Sequence, residues 1–493
     1  MRDFSRFPAP EYKETVLAPL FDGFKRHHRD HLMAIHHAHG LMLAERGLLG
    51  ASELRDILRA LDDAVAGLDP ETLVYTGEHE DYFFWLESQL RARLGADLAG
   101  RLHTGRSRND MDHTIFKIAL RSRLLALLAQ LESLIAMLLA RAEEGAGTLI
   151  VAYTHGQPAQ PTTFGHYLAA LIEMLLRDAT RLRAALATVD RCPMGAAAIT
   201  TSGFGLNRAR VAELLGFSAV LENSYGCIAV VDYIAETYAS VKILALGLGR
   251  FIQDLNSWTG FEIGHIHVPN AFVQISSIMP QKRNPVPVEH LRLLCSLAVG
   301  RAETILTTLH NTPFTDMNDS EGEVQSAGYA AFDTMERMLT LLTGFMEAIT
   351  IDESRTRAHI AESCITITEV ADTLVREEGI SFRQAHEIAS VLAKRMIARR
   401  ETLETLPFQA FIEAFAETIG RPATIDEARF RFISSPEHFV AVRTMFGGPG
   451  ALAASLTGYR TALAELTQAR QTIEASIAIA EATRARLVAA AMA

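Results

Sequence analysis

Three polar stretches hold most of the side chains that could do chemistry. The first is His103-Thr104-Gly105-Arg106-Ser107-Arg108-Asn109-Asp110. Ser, Arg and Asn at a helix start, with the free backbone N–H groups there, suit an anion. The plainer reading is an elaborate helix cap. The second is Tyr153-Thr154-His155-Gly156-Gln157-Pro158-Ala159-Gln160-Pro161-Thr162. His155 offers an imidazole, and Thr154 and Gln157 offer hydrogen-bonding groups. A lone loop histidine more often serves structure than catalysis. The third is Ser276-Ser277-Ile278-Met279-Pro280-Gln281-Lys282-Arg283-Asn284-Pro285, followed by Glu289. It is either a solvated loop or a hydroxyl base or nucleophile set beside groups that stabilise negative charge.

These stretches interrupt long helical patterns. Met111 to Glu144 contains neither Pro nor Gly, and Leu124, Leu127, Leu134 and Leu138 extend its apolar face beyond the Ile118–Leu125–Leu128–Ile135–Leu139 stripe. A helix apolar nearly all round must be buried nearly all round. Thr162 to Asp190, Ile228 to Leu255, Val286 to His310 and Gln325 to Ile349 read alike. At about 1.5 Å per residue these are long rods, and the pattern predicts an all-α elongated bundle with its helices covered by other chains of a symmetric oligomer. The flanks hold shorter patterns, such as Ser52 to Ala66 and the segments around Gly379, Gly420, Pro422 and Gly447-Gly448-Pro449-Gly450. The division is therefore 1–108, N-terminal helical; 109–353, central long-helix bundle; and 354–493, C-terminal helical.

Composition removes several classes. The 493 residues are ample for a large core. With 47 Lys+Arg against 58 Asp+Glu, the net charge is −11, so the basic footprint of a nucleic-acid binder is missing. Cys192, Cys227, Cys295 and Cys364 form no CxxC pair and fit a reducing compartment. Met1 to Lys13 has no apolar run of a secretory signal, and Leu124 to Ala140 is broken by Gln130, Glu132 and Ser133. A soluble cytoplasmic protein without a membrane partner is expected. His27, His28, His31, His36, His37 and His39 lack an HExxH signature and read as a basic, His-rich helix face rather than a metal site. No GxSxG elbow supports a serine hydrolase.

Taken in order, HTGRSRND, YTHGQPAQP and SSIMPQKRNP resemble the argininosuccinate lyase branch of the fumarase/aspartase superfamily. Pro193-Met194-Gly195, Arg208 to Phe217, Glu222-Asn223-Ser224, Phe382 to Ile388 and Val442-Arg443-Thr444 extend the likeness over most of the chain. The resemblance implies an all-α homotetramer around a twenty-helix bundle. It implies four active sites, each built from three subunits, and no metal or organic cofactor. It implies release of fumarate from a succinyl compound. On that likeness Ser276 is the base, and Lys282 and Asn284 stabilise an aci-carboxylate. Thr154, Ser107, Arg108, Asn109 and Gln157 bind substrate. His155 charges or orients the site, and Glu289 orients His155.

Departures bear on the substrate. The family's Tyr, Gln and Lys after the helix that follows the mobile loop are replaced within Pro313 to Gly322. The N-terminal Ser and Asp of the family give way to Phe24-Lys25-Arg26-His27-His28-Arg29, and the glycine before the paired serines is Ile275. The fumarate half is kept and the amine half is rebuilt. This is similar to ethylenediamine-N,N′-disuccinate (EDDS) lyase, with Lys25 and Arg26 expected to meet an added carboxylate. Argininosuccinate cleavage is the alternative. Adenylosuccinate lyase shares a Lys-Arg-Asn loop but fits the first two motifs less well. A non-catalytic protein of the same fold is the reading from a different class.

Overall fold

The computed structural model describes residues 5–493; the first four residues of the Met1–Lys13 stretch lie outside the described residues. The chain is all-α apart from short two-stranded ladders. Five long helices stand where the apolar periodicity places them: α1 (Arg108–Glu144), α2 (Phe164–Val189), α3 (Asp232–Trp258), α4 (Val286–Thr308) and α5 (Gly322–Ala348). Their ends differ from the sequence reading for local reasons. α1 starts before Met111 because the Ser107 N–H donates to Asp110 Oδ1 at 2.9 Å and closes the first turn. α3 starts after Ile228 because extended Val230 separates the short Gly226–Ala229 turn from it.

Two expectations are corrected here, one about burial and one about helix length. α1 is covered within its own chain, with Leu124, Leu131, Leu134, Ile135 and Leu138 fully enclosed by α2, α5 and a sixth long helix, α6 (Leu452–Met492). α6 falls in the part expected to hold only short helices. It is alanine-rich and only weakly amphipathic, so helix propensity rather than an apolar stripe carries it. Among the five long helices the exposed large apolar side chains are on α3 and α4, which the same expectation included: Ile243, Leu246, Leu293 and Leu297 are each 41–52% exposed. α1 is long and apolar enough to cross a membrane, but more than half of its most apolar stretch is buried in the protein.

The N-terminal helices Arg29–Glu45, Ala51–Val65 and Tyr82–Leu94 share a core with the first two turns of α1, including Met111, Ile115 and Phe116. A separate core joins Ile367–Glu378, Phe382–Arg399 and Phe408–Ile419. The expected basic histidine face is also corrected. His28, His36 and His39 are buried, because Arg29–Glu45 is apolar on both sides of its histidine rows. Among the described residues no group of three His, Cys, Asp or Glu is arranged to hold a metal ion.

Candidate active site

The first segment is fixed from below by one carboxylate. Asp110 is fully buried; its Oδ1 accepts the Ser107 N–H, and its Oδ2 accepts the N–H groups of Gly195 (2.8 Å) and Ala197 (3.0 Å). Gly195 has φ +84°, and a Cβ there would lie 2.6 Å from Arg208 Cγ, so only glycine fits this turn. Asn109 Nδ2 donates to Ala198 O at 3.3 Å, and Ser107 Oγ donates to Asn109 Oδ1 at 3.1 Å. Arg108 Nη1 donates to Glu80 at 2.9 Å and to Asp81 at 2.6 Å. The buried histidines brace the same loop. His36 Nδ1 lies 2.9 Å from Arg106 Nη1, and His39 Nε2 lies 2.9 Å from Thr104 O. Burial, aided by the Arg106 charge, holds His36 well below its ordinary value and His39 down to about 3.

The second segment is a β-hairpin. β1 (Leu149–Thr154) pairs antiparallel with β2 (Gln157–Thr163), with a bulge after Ala152. Pro158 and Pro161 argue against a strand by type, but a two-stranded ladder has open edges that tolerate them. His155 (φ +53°) and Gly156 (φ +74°) form the turn, the paired left-handed conformation that tight hairpins use. Thr154, His155 and Gln157 are thus exposed at a rigid tip.

In the third segment Gln274–Ile275 pairs with Arg283–Asn284, closing a loop over Ser276 to Lys282. Ser276 Oγ accepts from the N–H groups of Ile278 (3.4 Å) and Met279 (3.2 Å). Donors on a hydroxyl oxygen favour its anionic form, which a serine base requires. Arg283 Nη2 anchors the loop stem on Val268 O at 2.7 Å. Ile275, Lys282 and Glu289 are exposed and Asn284 is half-buried.

The three segments do not meet within one chain: among the described residues no hydrogen bond, ion pair or ring contact joins them. Helix lengths give the reason. The first and second segments lie at opposite ends of the 37-residue α1, which spans roughly 55 Å. The third opens the 23-residue α4, roughly 34 Å long, and the chain beyond α4 returns to place Asp316 Oδ1 3.7 Å from His113 Nε2 on α1. Among the described residues no hydrogen bond or ion pair joins Glu289 to His155 within the chain.

Beside the first segment is a cavity of about 400 Å³. Glu80, Asp81, Arg108, Asp112, Asp316 and Glu321 line its polar side, and Phe24, Tyr82 and Phe116 are among its apolar walls. Burial, with Asp316 beside it, pushes the Glu321 carboxyl up to about 7. Withdrawal from water, with Glu321 and Asp81 close by, holds Asp112 well above the carboxylate range. The expected carboxylate contact from Lys25 and Arg26 is corrected. Lys25 is buried, donating to Leu73 O at 2.8 Å and pairing with Asp22 at 2.9 Å, and Arg26 is exposed; neither lines the cavity. Sequence reasoning missed Asp110, Asp112, Asp316 and Glu321. The Pro313–Gly322 stretch is read above for the side chains it lacks, while two of its three carboxylates, Asp316 and Glu321, were the available signal.

In sequence and fold the chain is similar to known proteins. The Lyase family model covers residues 20–300, and the Argininosuccinate lyase C-terminal model covers residues 364–441. Argininosuccinate lyase 2 of Agrobacterium fabrum is 59% identical over 91% of this chain and 89% of its own length. Argininosuccinate lyase of Methanocaldococcus jannaschii is 36% identical over 84% of this chain and 83% of its own. A crystal structure of EDDS lyase in complex with formate superposes with a TM-score of 0.84 at 28% identity, covering 98% of this chain and 96% of that one. The fold and the matched segments define a lyase of the fumarase/aspartase superfamily, and the chain belongs to its argininosuccinate lyase branch. It is accordingly a carbon–nitrogen lyase.

Proposed function

We propose that the protein is a cytoplasmic homotetramer that releases fumarate from an N-substituted aspartate-type compound by anti β-elimination. Ser276 removes the proton from the carbon next to a substrate carboxylate. Lys282 and Asn284 balance the charge that builds on that carboxylate, where fixed donors act most strongly. The C–N bond then breaks and the nitrogen half departs. Ser107, Arg108, Asn109, Thr154 and Gln157 hold the succinyl group, with His155 charged or oriented by Glu289. The single observation that carries this reading is the separation of the first segment from the second along α1 and from the third along α4 within one chain. Three copies in a tetramer bring one of each together, and a twenty-helix core of five helices per chain buries Ile243, Leu246, Leu293 and Leu297. The 1–108, 109–353 and 354–493 division remains our proposal for the units that assemble.

For the nitrogen half, the alternative is favoured over the EDDS-like reading. The cavity beside Arg108 is acidic, and Lys25 and Arg26 do not reach it, so an added carboxylate finds no partner there. The relative at 59% identity is named an argininosuccinate lyase. A cationic nitrogen half, with argininosuccinate as the first compound of that class, fits this wall. The test is fumarate release from argininosuccinate and from EDDS, side by side. Argininosuccinate should be cleaved and EDDS should lag by about tenfold or more, since unpaired buried charge binds poorly. Ser276→Ala should lower kcat by about 10²–10⁴ with the assembly intact. Turnover of EDDS alone would restore the EDDS-like reading.

A further inference from the structure

A line of three side chains leads from the site cavity into the packed interior. Asp316 lines the cavity, and its Oδ1 is 3.7 Å from His113 Nε2. His113 Nδ1 is 3.0 Å from Tyr233 Oη. His113 and Tyr233 are each 1% exposed, and Lys117 Nζ lies 4.0 Å over the Tyr233 ring, holding it in place. Asp316 Oδ1 and His113 Nε2 are both buried, and neither has a hydrogen-bond partner among the described residues. Two orphaned polar atoms thus face each other at ion-pair distance, a rare arrangement that calls for an explanation. Both atoms are closed off inside the chain, so this line does not depend on side chains that other copies add to the cavity.

The two neighbours of His113 define what it can do. Both of its ring nitrogens face oxygen atoms that can accept, Asp316 Oδ1 and Tyr233 Oη. That suits an imidazolium, which donates from both nitrogens. The 3.7 Å gap to Asp316 is too long for a hydrogen bond, and catalytic contacts of this kind tighten once substrate is bound. The position also fits the substrate. His113 stands one helical turn beyond Asn109 on α1, and Asn109 lines the same cavity. Asp316 is therefore set beside the segment assigned to the succinyl group, where the scissile C–N bond must lie. Anti elimination gives such an acid a task. The base takes its proton on one face of the substrate, and the nitrogen departs from the other. The proton on Ser276 is then on the wrong side for the nitrogen, which must be protonated by a second group.

We infer that Asp316 is the acid that protonates the departing nitrogen and that His113, held by Tyr233, restores its proton. The inference rests on the fumarate-releasing reading above and supplies the acid which that reading leaves unassigned. As the C–N bond breaks, its electron pair goes to nitrogen, and the proton of the Asp316 carboxyl moves onto that pair. The carboxylate left behind takes the Nε2 proton of His113, whose Nδ1 proton stays on Tyr233 Oη. The neutral imidazole regains a proton from water once the products have left, and Ser276 gives its own proton to water, so each turnover balances. Asp316 is the catalytic residue, and His113 and Tyr233 act through it. Glu321 hydrogen-bonds Asp316 and, raised to about 7 by burial and by that neighbour, helps the carboxyl pair keep one proton near neutral pH.

The test reads two rates at once from the purified full-length enzyme in D2O, with whichever of argininosuccinate and EDDS the wild type cleaves. One is fumarate release. The other is deuterium entering the recovered substrate at the carbon from which Ser276 takes its proton. An enzyme without its acid still removes that proton and returns a deuteron, but breaks the C–N bond slowly. Asp316→Asn should therefore lower fumarate release by about 10²–10⁴ and raise the ratio of deuterium entry to fumarate by about tenfold or more. His113→Gln and Tyr233→Phe should move the ratio the same way by smaller factors. The double variant Asp316→Asn/His113→Gln should be no worse than Asp316→Asn alone, because one group acts through the other. A distorted site slows both rates together. An unchanged ratio in Asp316→Asn thus overturns the inference while leaving fumarate release standing. A raised ratio in Asp316→Asn with none in His113→Gln or Tyr233→Phe overturns the part given to His113. No fumarate from either compound with the wild type sinks the fumarate-releasing reading together with the inference. Tyr233→Phe removes one oxygen and keeps the ring under Lys117, so it decides the part of the line behind Asp316 even if His113→Gln does not fold.

Discussion

Asp110 ties two distant stretches of chain together through three backbone N–H groups, from Ser107, Gly195 and Ala197. Its role is to position Ser107, Arg108 and Asn109, since it is buried beneath them. Hydrogen bonds to charged groups contribute about 1.5–3 kcal/mol each, and these three share one anion. Asp110→Ala should therefore lower the unfolding free energy by about 3 kcal/mol in urea titrations and raise KM by loosening the loop. Asp110→Asn, which keeps one acceptor, should lose less. A variant as stable as wild type would show that the Pro193–Ala197 turn stands without it. Serine, histidine and lysine were legible in the sequence because their types announce chemistry. Asp110 was quoted in its motif yet read as part of a helix cap, because partners 85 and 87 residues away leave no mark in local spacing. Asp316 and Glu321 were hidden differently: their meaning depends on Asp112 and Asp81, which lie far off in sequence.

At the scale of elements, the long helices were legible because apolar residues repeat over many turns, and tertiary packing honours such repeats. The hairpin was not, since its strands carry prolines and its identity rests on two left-handed residues at the tip. The helix Arg29–Glu45 shows a third outcome: the helix is as expected, and its histidines are turned inward. An inward histidine makes stability depend on pH. His36 stays neutral in the folded protein because burial and Arg106 hold it well below 6.5, whereas in the unfolded chain it takes a proton near 6.5. The unfolded state then binds more protons, so this contribution is present above about pH 6.5 and is lost as pH falls. Carboxylates raised by burial, such as Glu321, act in the opposite sense, so the difference between two proteins is the clean observable. His36→Gln retains a polar group near Arg106 and cannot titrate. Between pH 7 and pH 5 the wild type should lose urea resistance relative to this variant. A constant difference across that range would mean that His36 does not set the slope.

At the scale of the whole molecule, the consequence of a 37-residue helix is that its two ends cannot serve one substrate in one chain. The apolar periodicity pointed to assembly and marked all five long helices alike; α1 is covered within its own chain by α2, α5 and α6, whereas α3 and α4 carry exposed apolar side chains. Periodicity reports that a face is buried, not what buries it. Segments that must come from different copies can be separated by mutation. Asn109→Ala disables the segment at one end of α4 and Ser276→Ala the segment at the other. Each pure variant has a defect in all of its sites. In a tetramer formed from an equal mixture, a site drawing its first and third segments from different copies is intact whenever both happen to be unmutated. Random assembly gives about a quarter of the sites this composition. Co-expressed variants should thus recover roughly a quarter of wild-type fumarate release, far above either parent. If both segments came from the same copy, every site would carry one defect or the other. The mixture would then be no more active than its parents, and a site shared between chains would have to be abandoned.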